Sequence, residues 1–187
     1  PPDRGRTSTC AAQSIKPPHP LRTRSLARPT APVAPFRAMQ PSDLLAALRD
    51  PAVFGRPAGT PVVVLQTHIS IVALVGDDAY KFKKPVDLEF LDYTTLARRQ
   101  HFCALEVELN RRLAPDVYLG VAELRRDDSG TLHLQLPGAS HLGGPGELID
   151  VAVHMRRLPD AANLAHRLAA GRLEPATLER IGRRLHD

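Results

Sequence analysis

The sequence predicts an α+β fold: an antiparallel sheet of five or six strands with one helix packed on it, followed by C-terminal helices. Three observations carry that expectation. Short apolar runs rich in Val, Ile and Leu recur between Val62 and Met155, separated by Gly, Asp and Pro. One longer segment, from Thr94 or Thr95 to about Leu113, interrupts them with apolar residues three or four apart. After Pro159 the strand pattern gives way to helical spacing.

In chain order, residues 1–38 hold eight of the 18 prolines and no hydrophobic period. They read as a disordered leader, with Met39 as the expected true start. Ser42 is a candidate N-cap for a short helix over Asp43–Asp50, stopped by Pro51. A Gly/Pro loop over Gly55–Pro61 leads to two strands, Val62–Leu65 and Ile69–Val75. Gly76-Asp77-Asp78 is a hairpin-type turn into a third strand, Ala79–Lys83, which Pro85 ends. The long helix has its expected apolar stripe on Phe102, Leu105, Leu109 and Leu113. Val117–Leu124, Leu132–Leu136 and Leu148–Met155 complete the sheet, with a turn at Asp127–Gly130 and a Gly-rich loop over Pro137–Glu147. Two helices follow, Ala161–Ala170 closed by Gly171, and one with Pro175 in its first turn and Leu178, Ile181 and Leu185 on one face.

Composition narrows the function classes. The chain's net charge of +5 belongs to the leader, where seven basic residues (Arg4, Arg6, Lys16, Arg22, Arg24, Arg28, Arg37) face one acid, Asp3. From Met39 onward the net charge is −1, so a nucleic-acid partner is not expected. No apolar run reaches the ~18 residues that span a bilayer, so no membrane partner is expected either. Cys10 and Cys103 form no C-x-x-C pattern, which fits a reducing cytoplasm rather than a disulfide framework. His101 and Cys103 lie two apart on a helix and point in different directions, so no metal site is expected there.

The chemistry concentrates between the third strand and the long helix. Alternation puts Lys81 and Lys83 on one face of the strand with Ala79, and Lys84 on the other with Phe82. The plain reading is a solvated basic edge that discourages strand association. Glu106, however, falls within the expected apolar stripe, while Glu108 lies on the opposite side. A core-facing carboxylate is costly unless paired, and the lysine strand offers a partner. A Glu106–Lys81 pair would satisfy both groups, whether as a structural salt bridge or as part of a binding site.

Ala79-Tyr80-Lys81, followed by a helix carrying Glu106, resembles the A-x-K strand and helical glutamate of the protein-kinase-like superfold. More closely, T-H-I-S, AYKFKKP, FLDYTTLARR and ELNRRLAPDVYLGV resemble an uncharacterised bacterial family. That family is similar to aminoglycoside phosphotransferases and is often fused to a P-loop ATP-binding domain. The likeness covers roughly Ser42 to the C-terminus and is most specific between Ala79 and Gly120.

The resemblance implies a kinase-like N-terminal lobe over residues 39–159, then helices over 160–187 leading to a second lobe. ATP is the implied cofactor, with Mg²⁺ expected only in the presence of that second lobe. Lys81 is implied to contact the α- and β-phosphates and Glu106 to position it. Thr67 and Ser70 flank the implied phosphate-covering loop, although Gly-x-Gly is absent there and His68 reads as an ordinary turn residue. His154, Met155 and Arg156 are implied to offer backbone hydrogen bonds to adenine. Nothing after Pro159 resembles an H-G-D or H-R-D loop with a following Asn, and no G-x-x-x-x-G-K-[ST] is present. The expectation is therefore a truncated lobe, with no catalytic residues of its own and inactive alone, from a kinase acting on a small-molecule hydroxyl. Its exposed cleft surface is expected to favour self-association. The competing expectation is a non-catalytic α+β interaction module.

Overall fold

The computed structural model describes residues 39–136 and 146–186. The expected disordered leader and most of the Gly-rich Pro137–Glu147 segment lie outside the described residues. The α+β expectation holds. Among the described residues, eight strands form a six-stranded antiparallel sheet and a separate two-stranded hairpin, and four α-helices accompany them.

Helix α1 spans Pro41–Ala47 with Gln40 as its N-cap. Ser42, expected as the cap, lies in the first turn, because Pro41 takes the first helical position, where its missing N–H costs nothing. The helix ends at Leu48, ahead of Pro51. There the Asp50 carboxylate accepts the Ala52 N–H at 2.9 Å and opens a 3₁₀ turn over Pro51–Phe54. Leu44, Leu48 and Val53 from these two pieces are buried against the sheet.

Strands β1 (Val62–Gln66), β2 (Ser70–Val75) and β3 (Asp78–Lys83) form a meander. Gly76 joins the last two with a φ of 56°, and no other residue type in the turn has a positive φ, as in a II′ hairpin. A small hairpin follows, β4 (Asp87–Leu88) and β5 (Leu91–Asp92), with Phe90 exposed at its tip. After helix α2 (Leu96–Arg111) come β6 (Tyr118–Arg126), β7 (Leu132–Gln135) and β8 (Glu147–Arg156). The sheet order is β1-β2-β3-β8-β6-β7, so β8 inserts between β3 and β6. The Asp127 carboxylate organises the β6–β7 turn by accepting the Ser129 and Thr131 N–H groups at 2.9 Å each.

Directly opposed residues in antiparallel neighbours share a face. One face gathers Ile71, Ala73, Tyr80, Phe82, Ala122, Leu124 and Ala152 under α1 and the 3₁₀ turn. The other gathers Val151 and Val153 under Cys103 and Val107 of α2, with Tyr118, Val121 and Met155 at the margin.

Thr95 caps α2 by accepting the Arg98 N–H at 3.2 Å, as expected. The expected apolar stripe is not the buried face. Leu109 and Leu113 are exposed, and Arg99, Cys103 and Val107 point inward. The reason is electrostatic: Arg99 meets Asp150 of β8 at 2.8 Å, and its guanidinium also donates to the Tyr93 and Thr94 carbonyls. The inward face of the helix is thus mixed in polarity, and its apolar residues do not mark it.

Beyond β8, a 3₁₀ turn over Asp160–Ala162 precedes helix α3 (Leu164–Ala169), which starts later than expected because Asn163 caps it through the Ala165 N–H. Helix α4 spans Pro175–His186 and keeps Leu178, Ile181 and Leu185 exposed. Among the described residues, no helix is long and apolar enough to cross a membrane.

Burial separates two otherwise similar phenylalanines: Phe82 is 0% exposed and Phe90 86%. Phe82→Ala is expected to cost about 3–5 kcal/mol in urea denaturation, and Phe90→Ala to stay within about 0.5 kcal/mol.

Candidate functional site

Lys81 and Lys83 leave β3 on the same face, two residues apart, and α2 crosses above them. Glu106 sits between. Its Oε1 accepts from Lys81 Nζ at 2.8 Å and its Oε2 from Lys83 Nζ at 2.6 Å. The two lysines differ in setting. The Lys83 side chain is 4% exposed, with its ammonium 4.9 Å from the Tyr93 ring centroid, whereas Lys81 is 32% exposed. An ammonium over an aromatic face is attracted by the ring quadrupole, so Lys83 is held by a carboxylate and a ring.

Burial works against the Glu106 charge, but hydrogen bonds from Lys81 and Lys83 outweigh it and hold the carboxyl below its usual range. Burial likewise works against the Lys83 charge, and Glu106 overcomes it, raising the ammonium's pKa. Cys103, packed beneath this cluster, has its thiol pushed up to about 12 chiefly by burial, so it is no nucleophile at neutral pH. The next carboxylate on this side, Asp150, is engaged by Arg99 and the Val151 N–H.

Thr67 and Ser70 close the β1–β2 turn on each other. The Thr67 N–H donates to the Ser70 carbonyl at 2.9 Å, and the Ser70 N–H donates to Thr67 Oγ1 at 3.1 Å. Lys84 reaches this turn from beyond β3, donating to the Thr67 carbonyl at 2.6 Å and to Gln66 Oε1 at 3.1 Å. The loop is therefore a tight turn pinned by a lysine, with His68 beside Gln66, Thr67 and Lys84 around a shallow open depression. Met155 lies within β8, opposite Ala79 on one side and Tyr118 on the other. Just beyond it, the Arg156 N–H donates to the Val117 carbonyl and the Arg157 N–H to the Asp77 carbonyl, at 2.8 and 2.7 Å. Those two donors are consumed within the fold. Val63, Leu65, Leu74, Ala79 and Met155 line the same face as Lys81, and Val63 and Leu65 are exposed.

Of the sequence-expected residues, Lys81 and Glu106 meet directly. Thr67 and Ser70 meet each other at the hairpin end, and Met155 is on the Lys81 face near the opposite end of β3. Sequence reasoning left out Lys83, although its alternation with Lys81 placed it on the correct face. It also missed Tyr93 beneath Lys83, and a second polar cluster on the opposite sheet face. There Asp78 accepts from Arg56 at 2.8 Å and contacts His154 Nε2 at 2.7 Å, and His154 stacks on Tyr80, which stacks on Phe54. Among the described residues, no group of three His, Cys, Asp or Glu side chains could hold a metal ion.

Comparison with known proteins gives a partial match. Over 108 residues, 58% of this chain, the sequence is 39% identical to the uncharacterized protein Rv2004c of Mycobacterium tuberculosis and, to the same extent, to the uncharacterized protein Mb2027c of Mycobacterium bovis. The chain spans only 18% of the length of these curated relatives in that match. No protein-family model matches, and no solved structure matches significantly.

Glu106→Gln removes the charge that both ammoniums share and turns an amide NH₂ toward one of them, leaving Lys83 buried without a counter-charge. The expected cost at pH 7 is about 3 kcal/mol by urea denaturation. The folded-state pKa of Glu106 lies below its ordinary value of 4.5, so its stabilising contribution is present above that value and is lost as pH falls through the folded pKa. The variant should therefore also lose part of the steepness of the wild-type stability curve below pH 4.5. Equal stability of the two proteins at pH 7 would show that the bridge contributes nothing.

Proposed function

We propose that residues 39–159 are the ATP-binding lobe of an aminoglycoside-phosphotransferase-like kinase, whose parent activity moves the γ-phosphoryl group to a small-molecule hydroxyl. The observation that carries this reading is the Lys81–Glu106 contact between a central strand and the packed helix. Phosphoryl transfer needs little covalent chemistry from the protein, and most of the catalytic effect lies in positioning and charge stabilisation. A half-exposed ammonium fixed by a carboxylate provides one such charge. The apolar strip of Leu65, Leu74, Ala79 and Met155 on the same face offers a surface for a purine ring. The Thr67–Ser70 turn would border the phosphates. Residues 39–187 carry no H-G-D or H-R-D motif, so the lobe binds nucleotide without transferring phosphate by itself, in a cytoplasmic setting where ATP is abundant. The whole protein's acceptor is a small molecule, and neither nucleic acid nor membrane is a partner.

The exposed Val63 and Leu65 also support self-association of this face. Sedimentation velocity at rising concentration is expected to show a shift toward dimer that Leu65→Ser reduces and saturating ATP competes away. A monomer at every concentration would remove this part of the proposal.

The same exposed strip supports a second reading, a non-catalytic module that binds a partner protein. Nucleotide titration separates the two. The kinase-lobe reading expects Mg²⁺-independent ATP binding that Lys81→Ala lowers at least about tenfold, as loss of one phosphate-contacting charge would. A folded protein with no nucleotide affinity would favour the interaction module. Binding to DNA that persists after removal of residues 1–38 and falls steeply with salt would overturn both.

A further inference from the structure

A carboxylate shared by two ammoniums leaves a surplus. Glu106 carries one negative charge, and Lys81 and Lys83 carry two positive charges, each directly on one of its oxygens at 2.8 and 2.6 Å. A single Lys–Glu pair is neutral, and an arriving anion must compete with the glutamate for the ammonium. Here the glutamate is already satisfied on its second oxygen by a lysine that no ligand can reach, because the Lys83 side chain is 4% exposed and lies over the Tyr93 ring. Among the described residues, no other carboxylate pairs with either ammonium: Asp150 is tied to Arg99, Glu123 on this face is tied to Arg125, and Glu108 is exposed on the outer side of the helix. The unbalanced charge surfaces at the most exposed member of the triad, Lys81, which is 32% exposed against 15% for Glu106, on the strip-lined face.

We propose that Lys83 is the charge-supplying residue of this site: it neutralises Glu106 from the buried side, so that Lys81 presents a full positive charge to a polyphosphate chain. This rests on the reading of the face as a nucleotide site and deepens it, because it assigns the recognised part of the ligand to the phosphates rather than to the base. Lys83 touches no ligand and acts through Glu106. Removing it converts the site from net positive to neutral while leaving Lys81 and Glu106 in place. An uncompensated charge close to a trianionic or tetraanionic ligand, in a partly desolvated setting, is worth a large factor in affinity.

The experiment measures binding of ATP, inorganic tripolyphosphate and adenosine by calorimetry to the unaltered protein and to Lys83→Met, Lys83→Arg, Lys81→Ala and the double variant Lys83→Met/Glu106→Gln. Lys83→Met is expected to weaken ATP and tripolyphosphate about tenfold or more and to leave adenosine nearly unchanged, as expected for loss of one nearby charge. Lys83→Arg, which keeps the charge, retains most of the affinity. The double variant again has a net positive charge and no buried carboxylate, so it recovers most of what Lys83→Met loses. It also keeps the test alive should Lys83→Met fail to fold. If ATP binding falls in Lys81→Ala but not in Lys83→Met, the inference is overturned and the nucleotide reading stands. A parallel loss of adenosine and ATP in Lys83→Met, without recovery in the double variant, would make Lys83 a scaffold residue only and also overturn it. If the unaltered protein binds tripolyphosphate in a Lys83-dependent way but shows no preference for ATP, the nucleotide reading fails and the charge assignment survives. Binding of none of the three ligands overturns both.

Discussion

A carboxylate placed between a helix and a sheet must be balanced, and here the balance fixes how the helix lies. Among the described residues, three polar ties hold α2 to the sheet: Arg99 to Asp150 near the N-terminus, Glu106 to Lys81 and Lys83 about two turns later, and Arg111 to the Tyr118 and Leu119 carbonyls of β6 at the C-terminal end. Cys103 and Val107 fill the space between and beside them against Val151 and Val153. Apolar contact alone would accept several rotations of such a helix. Buried ion pairs contribute little net stability once desolvation is charged against them, but a misplaced one is severely penalised. The ties therefore act as selectors of register. They exclude the rotation that would bury Leu109 and Leu113, since that rotation would carry Arg99 away from Asp150.

The same constraint explains which parts of the molecule were legible in the sequence. The sheet was readable because its signals are local. Alternation around Tyr80 and Phe82 fixes the inward face of β3, Gly76 supplies the one positive φ that the hairpin needs, and Thr95 caps α2 through its own side chain. The helix face was misjudged because periodicity counts only apolar residues, while this helix is oriented by Arg99 and Glu106. Glu106 was nonetheless placed correctly, because adjacent positions around a helix overlap: Phe102 and Glu106 lie beside the true inward line of Arg99, Cys103 and Val107. The β4–β5 hairpin is two residues per strand, too short for any alternation to register. Lys83 was visible on the correct face, but a pairwise rule of one lysine to one glutamate had no place for it. What escaped was a three-body arrangement, and such arrangements need coordinates.

The sheet also divides its duties between its two sides. The side under α1 and the 3₁₀ turn is a sealed apolar core from Leu44 to Ala152. The side under α2 is covered over β8 and β6 but bare over β1 and β2, where Val63 and Leu65 meet solvent. The charged triad lies at the boundary between covered and bare sheet. That is a favourable place for recognition, because a fixed charge adjoins an apolar surface with a partly lowered dielectric. In the relatives with which the chain shares 39% identity, the matched stretch is 18% of the length.

One consequence concerns how protection against hydrogen exchange is graded across the sheet. Strand β1 is an edge, paired on one side only, and its residues alternate between half-buried and exposed, whereas β3 and β8 are buried along most of their length and paired on both sides. Local opening free energy follows burial and pairing. The strand bordering the bare apolar strip is therefore among the first to open, with the other edge strand β7, and the strand bearing Lys81 is among the last. The fold sets a compliant flap beside a stiff anchor. A ligand lying across the two would find its charge recognition already organised, and would have to order only the edge that closes over it.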